Sequence, residues 1–240
     1  MSGLPRPTRL PASRSLSVFQ RTLLRWYRDH QRPLPWRKTN DPYKILVSEI
    51  MLQQTQVDRV IPKYHEFLRR YPTIQRLAQA RIPQVKKLWY PLGYNIRPVR
   101  LRNIAQTVVR RHDGRIPNSY DGLVAMDGIG RYTAGAVLSF AFRQDAPIVD
   151  TNVDRLLRRY FNVNNHNRST ARRRIWELAR LVIPPGKGYD INQAMMDFGA
   201  LICTAKQPKC ATCALRRGCA SFPFTNGQAH AARASRHRGH

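Results

Sequence analysis

The stretch LVAMDGIGRYTAGAVL at residues 123–138 decides how the chain folds. Its left part reads as a short helix ending at Met126. Its right part, from near Arg131, carries small and apolar residues with a helical period. Between them Gly128 and Gly130 bracket Ile129, and two glycines allow a tight turn with positive φ. They also leave backbone N–H groups bare beside a helix N-terminus, where an anion is favoured. Helix, GIG turn and helix together make a helix-hairpin-helix, a device that grips a phosphate backbone without reading sequence. Ile129 is the apolar plug of the turn, and Gly128, Gly130 and Arg131 are the candidate phosphate contacts.

Outward from this turn the apolar period stays helical. Leu16, Phe19, Leu23, Trp26 and Tyr27 are spaced by three and four along 16–30, and Pro33 and Pro35 end that segment. Asp41-Pro42 opens another helix, with a capping aspartate and a proline at the first helical position. Further helices are predicted near 56–70, 73–80, 97–112, 120–126, 131–142, 150–161, 170–182 and 190–201. No alternating strand, hairpin signal or long-period repeat interrupts them. The fold class is all-α, and residues 1–14 and 223–240 read as disordered basic tails, the second rich in Arg and His.

Charge narrows the partner. The chain has 240 residues, with 42 Lys and Arg against 14 Asp and Glu, a net charge of +28. Only 8 of the 42 bases are Lys, so the basic surface is mostly guanidinium. Such an excess argues against a neutral metabolic enzyme or a metal store and for a polyanion, of which nucleic acid is the commonest. A hydrophobic fraction of 42% is that of a folded protein. The longest apolar run, Thr133 to Phe142, falls short of the roughly 18 residues of a membrane span. The N-terminal MSGLPRPTRLPASRS has no apolar signal core, so neither secretion nor a membrane is expected.

All four cysteines fall within seventeen residues, as C-x6-C-x2-C-x5-C at Cys203, Cys210, Cys213 and Cys219. Their clustering, without a secretion signal, argues for a metal site over disulfides. Thiolates suit zinc or an iron–sulfur cluster, and spacing does not choose between them; structural zinc is the default. Lys206, Lys209, Arg216 and Arg217 stud the same loops, a natural phosphate contact.

With so few acids, carboxyls in apolar surroundings need a reason. Glu49 sits in the helical run VSEIMLQQTQV between Val47, Ile50 and Met51. A carboxyl there is expected to hold its proton and to serve as a general acid. Asp150 precedes the helix TNVDRLLRRYF, as an N-cap or as an anionic partner for a developing positive charge. Glycosidic-bond chemistry uses two carboxyls in these two capacities.

Taken in order, Glu49's helix, the GIG turn, Asp150 and the four-cysteine loop resemble the helix-hairpin-helix DNA glycosylases that include endonuclease III. Within that superfamily the chain looks most like the adenine DNA glycosylases. The strings that carry this are LPWR (34–37), DPYKILVSEIMLQQTQV (41–57), LGY (92–94), DGIGRYTAGAVLSFAF (127–142), VDTNVDRLL (149–157) and INQAMMDFGALIC (191–203). The resemblance implies a [4Fe–4S] cluster on the four cysteines in place of zinc. It also implies two helical lobes with a DNA-binding cleft between them: a cluster lobe from 15–40 and 146–222, and a helix-hairpin-helix lobe from 41–145.

Residue by residue, the resemblance assigns Glu49 as proton donor, Asp150 as stabiliser of the sugar cation, and Asn152 as the asparagine beside it. Trp36 and Arg37 would line the pocket for the flipped base. Gln53, Gln54 and Thr55 would enter the duplex beside the opposite base, and Tyr94 would intercalate. Tyr132 stands where lyases of the superfamily carry a Schiff-base lysine, so hydrolysis without strand cleavage is expected. The implied partner is double-stranded DNA with a mispaired or damaged base, bound by a monomer in the cytoplasm or on the nucleoid.

Three departures bear on the substrate. Asp127 replaces the proline usual before the GIG turn, Asn95 replaces a second tyrosine, and the 8-oxoguanine-recognition domain of adenine glycosylases does not follow Pro223 in this sequence. Compact thymine/uracil glycosylases acting on T:G and U:G pairs share the tyrosine at the lysine position and form the alternative. A non-catalytic Fe–S DNA-binding protein and a small electron carrier are the rivals from other classes.

Overall fold

The computed structural model describes residues 11–163 and 167–224. Of the expected tails 1–14 and 223–240, residues 1–10 and 225–240 lie outside the described residues, while Ser13 and Arg14 already belong to the first helix. Eleven α-helices and no strands occur among those described, and no helix is long and apolar enough to cross a membrane. The chain divides into two units, each with its own core. One comprises residues up to Gln31, Val149–Pro184 and the segment from Asp190 onward; the other comprises Arg32–Ile148 and Pro185–Tyr189.

The first unit is built from α1 (Ser13–His30), α9 (Thr151–Phe161), α10 (Arg168–Leu181) and most of α11 (Gly188–Leu201). The three-and-four spacing on α1 puts Phe19, Leu23, Trp26 and Tyr27 inside, where they meet Leu157 and Tyr160 of α9, Ile175 of α10 and Phe198 of α11. Phe19 lies 4.8 Å from the Tyr160 ring, and Trp26 meets Phe198 edge-on at 4.8 Å. Asn167 caps α10 by accepting from the N–H groups of Ser169 and Thr170, both at 3.1 Å.

The second unit holds α2 (Pro42–Leu52), α3 (Val57–Arg70), α4 (Ile74–Ala78), α5 (Ile82–Trp89), α6 (Ile96–Arg111), α7 (Tyr120–Val124) and α8 (Arg131–Phe140). Asp41 starts α2 as its sequence signal requires, accepting from the Tyr43 N–H at 2.9 Å with Pro42 at the first position. Both α2 and α8 are buried nearly all round, and they pack on each other. Leu34 and Trp36 belong to this core, so residues 32–40 pack with α2 and α3.

The segment 82–89 is a helix that the apolar period did not announce. Only Val85 and Trp89, one turn apart, are buried on it, and prolines at 83 and 91 with two lysines hide so short a pattern. Trp89 is fully buried against Phe67, and this contact fixes the chain that leads into Leu92–Tyr94.

Candidate active site

Glu49 lies on α2 and is 2% exposed, between Val47, Ile50 and Met51, which are also buried. Burial in these surroundings is what the sequence led us to expect. Trp36 occupies a short 3-10 turn (Pro35–Arg37) and is a core residue, its ring edge-on to Tyr64 at 5.5 Å. Arg37 is half-buried and donates from Nη1 to the Arg32 carbonyl at 3.0 Å. Of these two, Arg37 has the greater access to solvent.

Beyond the C-terminus of α2, Gln53, Gln54 and Thr55 form a turn, and Gln54 is exposed with φ 56°. Tyr94 is 58% exposed and also left-handed, with φ 49°. A left-handed backbone is uncommon outside glycine and costs free energy, so it persists only where the surroundings enforce it. Of the four residues expected to enter a duplex, Gln54 and Tyr94 hold it. The carbonyls of Gln53 and Gly93, each next to one of these residues, accept from Arg97, a residue the sequence did not single out.

The helix-hairpin-helix forms as expected, with one refinement. Ser119 caps α7, Ile129 is buried as the plug, and Gly130 occupies the N-cap position of α8. Gly128 has φ +92°, and a Cβ there would approach Arg100 to 3.3 Å. Gly130, expected to share this conformation, has φ −89°, and a Cβ on it would meet nothing within 4 Å. Only Gly128 is therefore demanded by the turn itself. Gly130 leaves open space in front of the α8 N-terminus, where Arg131 is exposed and Tyr132 half-buried.

In the first unit, Asp150 is both an N-cap and the end of a relay. Its Oδ1 accepts from the Val153 N–H at 2.7 Å, and its Oδ2 accepts from Asn152 Nδ2 at 3.0 Å. Burial pushes the Asp150 carboxyl above the usual carboxylate range, while the Val153 and Asn152 hydrogen bonds and the Arg155 charge hold it down. Asn152 in turn accepts from Arg155 Nη2 at 2.8 Å. Arg155 also donates to the Gly199 carbonyl at 2.6 Å and, through Nε, to the Cys203 carbonyl at 2.7 Å. A Cβ on Gly199 would stand 2.7 Å from the Asn152 Cβ, so glycine there lets α11 approach the start of α9. Arg159, one turn further along α9, donates to the Thr204 carbonyl at 2.7 Å and the Ala205 carbonyl at 3.0 Å. Asn152, Arg155 and Arg159 share one helical face. That spacing was visible in the sequence, but it was lost among many other arginines.

Cys203, Cys210, Cys213 and Cys219 are free thiols lining one cavity with Leu156, Phe198 and other apolar residues. Among the described residues, no three His, Cys, Asp or Glu side chains are gathered as tightly as a single metal ion needs. Four thiols lining one apolar cavity are a donor set that fits an iron–sulfur cluster or zinc. Burial pushes the Cys213 thiol up to about 11 and raises Cys219 as well, so a metal must displace their protons. Lys206, Lys209, Arg216 and Arg217 are all exposed on this loop.

Residues 47–181 match the family model described as HhH-GPD superfamily base excision DNA repair protein. The chain is 40% identical to an adenine DNA glycosylase of Buchnera aphidicola over 85% of its own length, and it spans 58% of that relative. It is 35% identical to a thymine/uracil-DNA glycosylase of Pyrobaculum aerophilum, covering 89% of this chain and 95% of that one. A solved structure of a thermostable thymine-DNA glycosylase superimposes with a TM-score of 0.80 at 32% identity, over 88% of this chain and 98% of the other.

Proposed function

Because the chain belongs to the HhH-GPD superfamily of base excision DNA repair proteins, we propose that it is a monofunctional DNA glycosylase. Its substrate in this reading is duplex DNA bound by a single chain, and the base removed is adenine opposite guanine or 8-oxoguanine. The likeness to adenine DNA glycosylases and the LPWR and LQQTQV strings support adenine.

The observation that carries the reaction is how Asp150 is held. Neutral donors, among them the Val153 N–H and the Asn152 side chain, fix its carboxyl group, and Asp150 is in no ion pair among those found between the described residues. A carboxylate positioned but not neutralised is what a developing sugar cation needs. In this reading the base is flipped out, at a cost of a few kcal/mol that is least at a mispair. Glu49 then gives its proton to a ring nitrogen of the base. The N-glycosidic bond breaks with its electron pair leaving on the base, Asp150 stabilises the sugar cation, and water adds to the sugar, its released proton returning to the Glu49 carboxylate. Tyr132 offers no amine, so no Schiff base forms and the strand stays intact.

Cys203, Cys210, Cys213 and Cys219 would hold a [4Fe–4S] cluster. When bound, it would tie the loop at four points and present its lysines and arginines to phosphate. A second reading, excision of thymine or uracil opposite guanine, is supported by the likeness to thymine and thymine/uracil glycosylases in sequence and fold. There the leaving pyrimidine departs as an anion, and Glu49 positions water or sugar.

Single-turnover cleavage of duplexes bearing A:8-oxoguanine, A:G, T:G and U:G, followed by alkali, tests both readings. Cleavage at adenine establishes the first reading, and cleavage at thymine or uracil alone establishes the second. No cleavage by cluster-loaded protein leaves a DNA-binding module. Glu49→Gln is expected to slow cleavage by about two orders of magnitude or more with DNA affinity nearly unchanged. An unchanged rate removes Glu49 from the chemistry.

A further inference from the structure

Arg97 is 3% exposed, and its guanidinium is surrounded by oxygens of the α2 C-terminus, the turn that follows it and the turn that precedes α6. Nη1 donates to the Ile50 carbonyl at 3.1 Å, the Met51 carbonyl at 2.8 Å and the Gln53 carbonyl. Nη2 donates to Thr55 Oγ1 at 3.0 Å, the Leu92 carbonyl at 2.9 Å and the Gly93 carbonyl at 3.2 Å. The same group lies over the Tyr94 ring at 5.3 Å and the Trp89 ring at 5.4 Å. Every oxygen in this set is a backbone carbonyl except the Thr55 hydroxyl.

Local stability alone does not account for the arrangement. A single cation at the end of α2 would satisfy the last carbonyls of that helix and complement its dipole. Arg97 does this through Ile50 and Met51, and then spends its other nitrogen on a second loop. Thr55 Oγ1 reaches the Leu92 carbonyl at 3.5 Å, and Trp89 Nε1 donates to the Gly93 carbonyl at 3.2 Å, so the two loops are cross-braced around the guanidinium. Gln54 and Tyr94, the left-handed residues at the two tips, are each one residue from a carbonyl that Arg97 holds.

We propose that Arg97 is a positioning residue that couples the Gln53–Thr55 turn and the Gly93–Tyr94 turn into one wedge, so that the two enter a duplex together. The inference rests on reading both turns as the parts that enter DNA. Coupling gives the guanidinium a task a plain core residue lacks: when one tip meets the stacked bases, the other is already in place. A misplacement of about 1 Å at a site of this kind costs about 10²-fold in rate.

The test compares two substrates with full-length, cluster-loaded protein. One carries the target base in a mispair; the other carries the same base in a one-nucleotide bulge, where no partner has to be displaced. Arg97→Lys keeps the charge but loses the fork that spans both loops. Its single-turnover rate is expected to fall about 10²-fold on the mispair and to stay within about threefold of wild type on the bulge. Equal losses on both substrates, or no loss on either, overturn the coupling. Should Arg97→Lys fail to fold, Thr55→Val removes one bridge of the brace, and the same preferential loss on the mispair is expected at about tenfold. A 2-aminopurine beside the mispair reads unstacking independently of excision. Brightening by wild type without cleavage of any base removes the glycosylase reading and leaves the coupling measurable. Equal brightening by Arg97→Lys and wild type overturns the coupling, and a probe left dark by wild type overturns the wedge itself.

Discussion

Replacing Asp150 by Asn separates two tasks that the wild-type side chain performs together. As an N-cap, Asp150 accepts from the Val153 N–H at 2.7 Å. Asparagine caps a helix about as well as aspartate, so this bond survives the change. The second bond does not, because the new amide nitrogen would face Asn152 Nδ2, which now donates to Asp150 at 3.0 Å. Asn152 is unable to turn its oxygen round without giving up Arg155 Nη2 at 2.8 Å. One hydrogen bond is therefore lost, worth about 1 kcal/mol, which in a chain of this size lowers Tm by roughly 2–4 °C. An opposing contribution comes from desolvation. Burial holds the Asp150 pKa above its ordinary value, so the folded chain binds that proton more tightly than the unfolded one. Stability from this group is then greatest in acid and declines as pH rises through the raised value. Asparagine has no charge to desolvate, so at neutral pH the variant recovers part of the loss.

The net effect on Tm near neutral pH is thus at most a few degrees, while the effect on chemistry is large. Removing a preorganised charge opposite a developing cation costs about 10²–10³-fold in the chemical step. Single-turnover cleavage, DNA affinity and thermal melting of Asp150→Asn measure the three quantities independently. A variant that melts within a few degrees of wild type, binds DNA and hardly cleaves is the expected outcome. Cleavage within about threefold of wild type would refute the reasoning and leave Asp150 as a cap alone.

Asn152→Ala removes a hydrogen bond that stabilises the Asp150 anion, so its carboxyl protonates at higher pH. Since the anion is the working form, the acid limb of the single-turnover rate is expected to move to higher pH, and an unmoved limb argues that Asn152 does not tune Asp150. The two hairpin glycines should respond oppositely. Gly128→Ala forces a side chain into φ +92° against Arg100, which costs about 1–2 kcal/mol and is read as a lower Tm. Gly130→Ala meets nothing within 4 Å and should melt like wild type, with weaker DNA binding because a methyl group stands where a phosphate would approach. Equal melting losses in the two variants would count against this distinction.

The parts of the fold legible in the sequence are those that local chemistry decides. Asp41-Pro42 starts α2 because a cap and a proline act on their own next turn, and the Leu16 to Tyr27 spacing marks the buried face of α1 because burial follows the helical period. Glu49 stood out because a carboxyl among apolar neighbours is rare, and it is buried as expected. A GIG string allows a left-handed turn without saying which glycine takes it; Gly128 does, at φ +92°, and Gly130 does not. Arg97 and Arg155 were invisible for a related reason. Each contacts carbonyls more than forty residues away, and a backbone carbonyl has no sequence signature. In a chain with 42 bases, a buried arginine looks like one more surface cation.

The same imbalance explains why carbonyls do this work. Fourteen acids are enough to pair with at most one in three of the 42 bases. The pairs Lys63–Glu66, Arg158–Asp154 and Arg174–Glu177 each join neighbours on a single helix, so they tie no distant segments together. Exposed pairs of this kind contribute little and weaken with salt. Among the described residues, Arg97, Arg155 and Arg159 make longer-range ties, their guanidiniums reaching carbonyls of other segments. A guanidinium with several partly buried oxygens forms charge-assisted hydrogen bonds that salt screens less. Such ties also consume no carboxylate. Had Asp150 been paired directly with Arg155, its charge would be neutralised; instead Arg155 holds Asn152, and Asn152 holds Asp150. In the proposed reaction the carboxyl group is thus positioned through a neutral amide rather than through an ion pair.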